Sequence, residues 1–231
     1  MVAPEAAHWL LIGNSRWHWA SQGLDGWSTW HTPPGFGFER ARLDGWAAVG
    51  PIPSQGVLDG RTRIGLADIP LKAMPPWLGV DRALAGWRAW QLSGSPVLVA
   101  DAGTALSLTR VDAVGQFVGG RLMAGAALQL RALAEGTAQL PPARVPDGMP
   151  DGLWPIGTEA AMGCGVLWGM AGAIALAVQQ VWAEQPDCQI WLTGGDGAQL
   201  EPLLAGLEGR LQRAPDLALE ALAALRPGPG R

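Results

Sequence analysis

A strand, a small-residue turn and a second strand constrain the fold of this chain more than any other stretch. Val97 to Ala100 is an apolar run, Asp101-Ala102-Gly103-Thr104-Ala105 follows it, and an alternating apolar and polar run ends at Thr109. This pattern predicts a β-hairpin with a polar tip. Because Gly103 has no Cβ and Thr104 carries a hydroxyl, backbone N–H groups at the tip can approach a phosphate closely.

A similar pattern occurs near the start of the chain. His8 to Ile12 is a strand candidate, Gly13-Asn14-Ser15 interrupts it, and Arg16 to Ala20 resumes it. The repetition indicates an internal duplication, although Gly-Asn-Ser alone is typical of a plain turn as well as of a phosphate-binding tip. Hairpins followed by helices, twice, predict an α/β architecture. The junction at 93–96 divides it into lobes 1–93 and 94–231.

Asp81 is a second carboxylate, twenty positions before Asp101, and Arg82 follows it directly. Apolar residues at helical spacing after Val80 place Asp81 at a helix N-terminus, where a cap would contribute about 1 kcal/mol. The alternative is a chemical role. Two acids, an arginine and a Gly-Thr turn are the groups that a phosphoryl-transfer site requires.

Composition excludes several classes of protein. The net charge of −4 argues against nucleic acid as a partner, and Lys72, the sole lysine, is not part of a Walker-type P-loop. Cys164 and Cys188 are too few for a disulfide framework, and the first residues lack a basic n-region, so we expect a cytoplasmic protein without a signal peptide. The uncharged run 160–178 is long enough for a membrane span, but its Gly and Ala content favours a buried helix, and we expect no membrane partner.

Six short motifs extend the pattern over nearly the whole chain. They are Leu11-Ile12-Gly13-Asn14-Ser15; Gly79-Val80-Asp81-Arg82; Asp101 to Ala105; Gly119-Gly120, Ala124-Gly125 and Thr137 to Pro141; Thr158, Met162, Gly165 and Gly169; and Thr193-Gly194-Gly195. In this order the motifs resemble those of type III pantothenate kinases, in a variant similar to those of cyanobacteria. That family belongs to the acetate and sugar kinase, heat-shock-70 and actin superfamily.

The resemblance implies an α/β fold of two ribonuclease-H-like (actin-like ATPase) lobes, with ATP in the inter-lobe cleft. It implies ATP-dependent phosphorylation of pantothenate, the first step towards coenzyme A, in a cytoplasmic homodimer whose pantothenate pocket is completed at the subunit interface. The Gly165/Gly169 helix is one candidate for the packing surface of that dimer.

The resemblance also assigns roles to residues. Asp81 is implied as the base that accepts the proton of the hydroxyl, and Asp101 as the ligand of a monovalent cation, K⁺ or NH₄⁺. Pantothenate would contact Gly79, Val80, Asp81, Arg82 and Thr158. ATP, with Mg²⁺, would contact Leu11, Ile12, Gly13, Asn14, Ser15, Arg16, Trp17, His18 and Thr104.

Three departures from the family pattern stand out. Leu11 and Thr109 occupy positions where the family usually or often has Asp, and the chain has no Tyr to line the substrate pocket, leaving Met74 or Trp77 for that wall. Loss of an acid at position 11 is compatible with a non-catalytic accessory or regulatory member of the family. Another small-metabolite kinase of the superfamily is a further alternative.

Overall fold

The computed structural model describes residues 6–35, 42–53, 58–148, 152–207 and 209–228. The chain is a mixed α/β protein of nine described strands and five described α-helices. The strands are β1 Ala7–Ile12, β2 Trp17–Gly23, β3 Gly26–Thr32, β4 Gly45–Ala48, β5 Val97–Ala102, β6 Ala105–Val111, β7 Phe117–Ala124, β8 Gln189–Thr193 and β9 Leu211–Arg213. The helices are α1 Val80–Ser93, α2 Ala126–Gly136, α3 Thr158–Glu184, α4 Gly197–Leu200 and α5 Leu217–Leu225, and short 3₁₀ turns span Gly60–Thr62, Leu66–Asp68 and Glu201–Leu207.

The first compact unit contains the described residues up to Leu92, Gly115–Phe117 and those from Asp216 onwards. Its four-stranded sheet has the order β3-β2-β1-β4, in which β1 is antiparallel to β2 and parallel to β4. The predicted first hairpin is therefore confirmed. The stretch after Gln22 contains β3, which pairs antiparallel to β2.

The second compact unit contains Ser93–Val114 and Val118–Pro215. Its five-stranded sheet has the order β7-β6-β5-β8-β9, in which β5 is antiparallel to β6 and parallel to β8. The predicted hairpin at Asp101–Thr104 is confirmed. Each sheet is thus built around a strand with an antiparallel hairpin partner on one side and a parallel strand on the other, as the predicted duplication requires.

Helix α3 forms the core of the second unit. It packs Leu167, Met170 and Ile174 against the apolar faces of β5, β6 and β8. Its Ala-rich sequence carries no charge between Glu159 and Glu184, which favours both helix formation and burial. Within the described residues α3 is long and apolar enough to cross a membrane by length and composition, and 56% of its most apolar window is buried in the structure.

Helix α5 packs on the sheet of the first unit, although it follows the whole second unit in the chain. The indole of Trp9 on β1 donates a hydrogen bond to the carbonyl oxygen of Arg226, at 2.8 Å, just after α5 ends. The lobe boundaries 1–93 and 94–231 stay a prediction. The first compact unit also contains the described residues from Asp216 onwards, which follow the second unit in the chain.

Candidate functional site

The turn after β1 is held by backbone contacts. Gly13 N–H donates to the carbonyl of Arg16 at 3.0 Å, which closes the hairpin. Gly50, just after β4, donates its N–H to the Ile12 carbonyl at 3.1 Å and lies so close to the turn that a Cβ there would overlap the Gly13 carbonyl. Asn14 and Ser15 remain exposed at the tip. The turn is therefore a polar tip with a rigid backbone wall behind it.

The turn after β5 has a similar wall. Gly103 N–H donates to the Ala105 carbonyl at 3.1 Å, and Gly125 donates to the Thr104 carbonyl at 3.0 Å. Gly194 follows the parallel strand β8, and a Cβ on it would stand 2.5 Å from both the Ala102 carbonyl oxygen and the Asp101 carboxylate oxygen Oδ1. Its φ of +89° is also a conformation that favours glycine.

Two glycines thus occupy corresponding places, one in each unit. Gly50 follows the strand parallel to β1, and Gly194 follows the strand parallel to β5. Gly194 belongs to one of the six motifs, whereas sequence analysis did not single out Gly50. The sequence signal for Gly50 is its position just after a strand. This position indicates close packing on the first turn only when the parallel pairing of β1 and β4 is known.

Asp101 is half-buried and lies at the end of β5, opposite Ser107 on β6 and Thr193 on β8. The Thr193 hydroxyl donates to the carbonyl of Pro215 at 3.2 Å, and Thr104 is exposed at the tip. Among the described residues no three His, Cys, Asp or Glu side chains cluster as a metal site. A cation at Asp101 would therefore need oxygen ligands from substrate, backbone or water.

The Asp81 carboxylate folds back over the start of α1. Its Oδ1 accepts a hydrogen bond from the backbone N–H of Arg82 at 2.8 Å and lies 2.6 Å from where a Cβ on Gly79 would stand. Burial raises the pKa of Asp81, and this effect outweighs the opposing effects of the Arg82 N–H and of the Arg82 charge. The glycine of the Gly-x-Asp-Arg motif therefore leaves room for a carboxylate of increased basicity.

The Arg82 guanidinium lies over the ring of Phe117, 5.8 Å from its centroid, within the first unit. Burial lowers the pKa of this guanidinium, and the neighbouring Asp81 raises it. Upstream, Ala73 has a φ of +56°, a strained backbone conformation for a residue with a Cβ. Of the two candidates for the substrate wall, Met74 is half-buried and Trp77 is 83% exposed.

Leu11 is only 7% exposed and pairs across the strands with His18 on β2 and with Ala47 on β4. It corresponds to Asp101, since each lies two positions before the glycine of its turn. The His18 atom Nε2 would lie 3.4 Å from a Cβ on Gly13, so its imidazole borders the first turn. Burial, followed by His31 and Arg16, lowers the pKa of His18 to about 4.

The structure brings some of the predicted site residues together. Residues 11–18 border one turn in the first unit, and Gly79, Asp81 and Arg82 form a second group in that unit. In the second unit Asp101 lies beside Gly194, and Thr104 lies in the turn that follows β5. Thr158 is the first residue of α3 and is exposed, and Gly157 is the N-cap residue of that helix.

Known proteins resemble this chain over most of its length. A family model for type III pantothenate kinase matches residues 66–180. A protein named type III pantothenate kinase from Thermosynechococcus vestitus is 40% identical over 88% of this chain and 84% of its own.

Two solved structures share the fold. One is a putative Baf family transcriptional activator from Campylobacter jejuni, with 19% identity, a TM-score of 0.57 and coverage of 94% of this chain and 95% of its own. The other is a putative 2-dehydro-3-deoxygalactonokinase from Sinorhizobium meliloti, with 17% identity, a TM-score of 0.56 and 95% coverage of both chains. At these identities the likeness concerns the fold alone, and together with the two sheets described above it confirms the predicted two-lobe α/β fold class.

Gly50→Ala should destabilise the protein, because the added methyl group must displace the backbone of the first turn. We expect a loss of roughly 1–3 kcal/mol in the free energy of unfolding, measured by urea denaturation. Gly60→Ala is the matched control, since nothing lies within 4 Å of a Cβ there. Equal stabilities for the two variants would contradict the proposed close packing of Gly50 on the turn.

Proposed function

The chain belongs to the type III pantothenate kinase family, and from that membership we propose how its own residues carry out the reaction. The activity is the ATP-dependent phosphorylation of pantothenate to 4′-phosphopantothenate, in the biosynthesis of coenzyme A. Nothing in the comparisons favours the regulatory alternative, because the likeness to the Campylobacter jejuni protein shows the fold alone. The observation that supports a catalytic chain most directly is the half-buried carboxylate of Asp81 over Gly79, whose pKa is raised by desolvation.

We propose Asp81 as the general base. The pantothenate hydroxyl attacks the γ-phosphorus of ATP, a P–O bond forms to that oxygen, and the bond to the leaving oxygen of ADP breaks. The hydroxyl proton passes to the Asp81 carboxylate. A raised pKa makes this carboxylate a better proton acceptor than an exposed aspartate, and proton transfer can occur late in a loose transition state.

We assign the phosphate contacts to the two turns. Gly13, Asn14 and Ser15 present a polar tip with a fixed backbone, and Gly103 and Thr104 present another. Preorganised N–H and hydroxyl donors stabilise the charge that develops during phosphoryl transfer without having to reorganise. Arg16 and His18 continue the first contact, whereas Leu11, Ile12 and Trp17 contribute through the backbone, because their side chains are buried.

We assign cation binding to the second turn. Asp101 is a hard carboxylate ligand beside the tip, which suits K⁺ or NH₄⁺, and its oxygen Oδ1 is held close to Gly194. Mg²⁺, when bound with ATP, neutralises phosphate charge, and it retains several of its own waters, so a site with few protein carboxylates is compatible with it. The Leu11 side chain has no ligand atom. Of the two corresponding positions, Leu11 and Asp101, only Asp101 therefore supplies a carboxylate ligand.

We assign pantothenate binding to Gly79, Val80, Arg82 and Thr158. The substrate is a carboxylate, and the Arg82 guanidinium is the cation next to the proposed base, so it can pair with the substrate and fix its orientation. Phe117 supports the guanidinium from one side. Thr158 supplies an exposed hydroxyl at the first position of α3.

We propose that the enzyme is a cytoplasmic homodimer. The solvent-facing side of α3 is unusually apolar, with Trp168 39% exposed and Leu176 54% exposed. The same helix carries Gly165, Gly169 and Gly172, where an added Cβ would meet nothing within 4 Å. Such a small-residue stripe lets a second copy of the helix approach closely. The buried free thiols Cys164 and Cys188 are typical of a reducing compartment.

Asp81→Asn should lower kcat by roughly 10²–10⁴-fold, because the amide cannot accept the proton. Nucleotide affinity, measured by ADP titration, should remain close to that of the wild type. An assay of ADP release with pantothenate, and with acetate and simple sugars as alternative acceptors, measures activity and specificity together. Asp25→Asn, at an exposed turn, is the control.

The pH profile provides a second readout for Asp81. The base acts when it is deprotonated, so activity is lost as the pH falls through its pKa. Because that pKa is raised, the acid limb of kcat/KM should lie above the ordinary range of an aspartate. Turnover of Asp81→Asn above a tenth of wild type would return Asp81 to a structural role at the helix terminus.

Activity should be high in K⁺ or NH₄⁺ and weak in Na⁺ or tetramethylammonium, and Asp101→Ala should remove this dependence. The carboxylate is the charged protein ligand proposed for that site, and its loss leaves only backbone, water and substrate oxygens. Initial rates at saturating pantothenate in the four chloride salts provide the measurement. Equal rates of the wild-type enzyme in all four salts would refute the proposed cation role.

Gly169→Arg should convert the dimer into a monomer, because a long charged side chain would stand in the apolar stripe of α3. Sedimentation velocity at assay concentration measures the change. Ala127→Arg, on the exposed side of α2, is the control and should leave the dimer intact. A wild-type chain that sediments as a monomer, or a dimeric Gly169→Arg, would exclude this interface.

A further inference from the structure

Two of the three histidines in the chain face each other on the sheet of the first unit. His18 on β2 and His31 on β3 are direct cross-strand partners in the antiparallel register. Their ring centroids lie 4.8 Å apart with planes inclined by 74°. His31 is exposed and His18 is half-buried beside the first turn, so solvent reaches the pair.

This spacing suits a shared metal ion. Zn²⁺ holds imidazole nitrogens at about 2.0–2.1 Å in tetrahedral geometry, which places two ring centroids about 5 Å apart. The two side chains are cross-strand partners at neighbouring positions of a sheet. Folding therefore already restricts their relative positions, and metal binding loses less conformational entropy. Neutral imidazole also suits Ni²⁺ and Cu²⁺.

The surroundings of His18 oppose a positive charge beside the two rings. Burial, followed by the nearby His31 and Arg16, lowers the pKa of His18 to about 4. A metal ion at this place must therefore be held by coordinate bonds to the ring nitrogens that outweigh this desolvation and the repulsion from Arg16.

Other ligands in the chain compete weakly. Among the described residues no third His, Cys, Asp or Glu completes a cluster with the pair, so the remaining coordination positions would be filled by water. Both cysteines are buried, and burial raises the pKa of the Cys188 thiol to about 11, which disfavours the thiolate that binds metals. His8, the third histidine, lies on β1, where its backbone N–H donates to Asp44.

We propose that His18 and His31 form a two-imidazole site for a divalent transition cation of the Zn²⁺, Ni²⁺ and Cu²⁺ class. The site has open positions and lies at the base of the turn Gly13-Asn14-Ser15. It does not depend on the assignment of any residue to the kinase reaction. It is distinct from the cation site proposed at Asp101, which belongs to the other unit and suits hard monovalent ions.

The test is calorimetric titration of tag-free full-length protein with Zn²⁺ at pH 7.5, in a non-chelating buffer and without nucleotide. The wild type and His8→Gln should bind one equivalent with equal affinity. His18→Gln and His31→Gln should each bind roughly ten-fold more weakly or worse, because one of two protein ligands is lost. Thermal melts without metal establish that each variant is folded.

Electron paramagnetic resonance with one equivalent of Cu²⁺ provides a readout that a structural role of the histidines would not change. The wild-type spectrum should show coupling to two imidazole nitrogens, and each single variant to one. Three results would overturn the site: no Zn²⁺ binding by the wild type, unchanged binding in folded His18→Gln and His31→Gln, or loss of binding in His8→Gln.

Discussion

The close approach of backbone to backbone at the two hairpin turns is the constraint on which the rest of this structure depends. At each turn the peptide that follows a hairpin strand lies against a glycine, Gly50 in the first unit and Gly194 in the second. Each glycine follows the strand that runs parallel to the first strand of the hairpin. A side chain at either place would push the turn outwards. The parallel pairing of each sheet therefore determines how firmly its polar tip is held.

Burial then differentiates the two related turns. Asp101 and Leu11 occupy corresponding positions, but one is a half-buried carboxylate and the other is an apolar side chain that is 7% exposed. Beside Leu11 the polar group is His18, whose ring is kept neutral by its surroundings. At Asp81 the same physical effect works in the opposite direction, because desolvation favours the protonated carboxyl and so strengthens the base. The duplicated scaffold carries different chemistry at each site as a result.

Local patterns predicted much of this structure. Both hairpins and α3, from Thr158 to Glu184, follow directly from apolar alternation and from an uncharged Ala-rich run. What sequence reasoning missed depends on long-range pairing: Gly50 acquires its role from the contact between β1 and β4, and α5 packs on a sheet formed some two hundred positions earlier. The His18 and His31 pair becomes visible only through the register of β2 and β3. The motifs predicted the candidate residues, but burial at Asp81 and Leu11 could not be read from spacing.

The position of α5 has a consequence for how the chain is completed during synthesis. Every residue of the second compact unit leaves the ribosome before α5 does, whereas the sheet of the first unit must wait for α5 to cover its exposed face. The strands made first are therefore stabilised last, and the second unit can fold while the first is still incomplete. During that interval the tryptophan-rich strands of the first sheet leave uncovered the apolar surface on which α5 later packs.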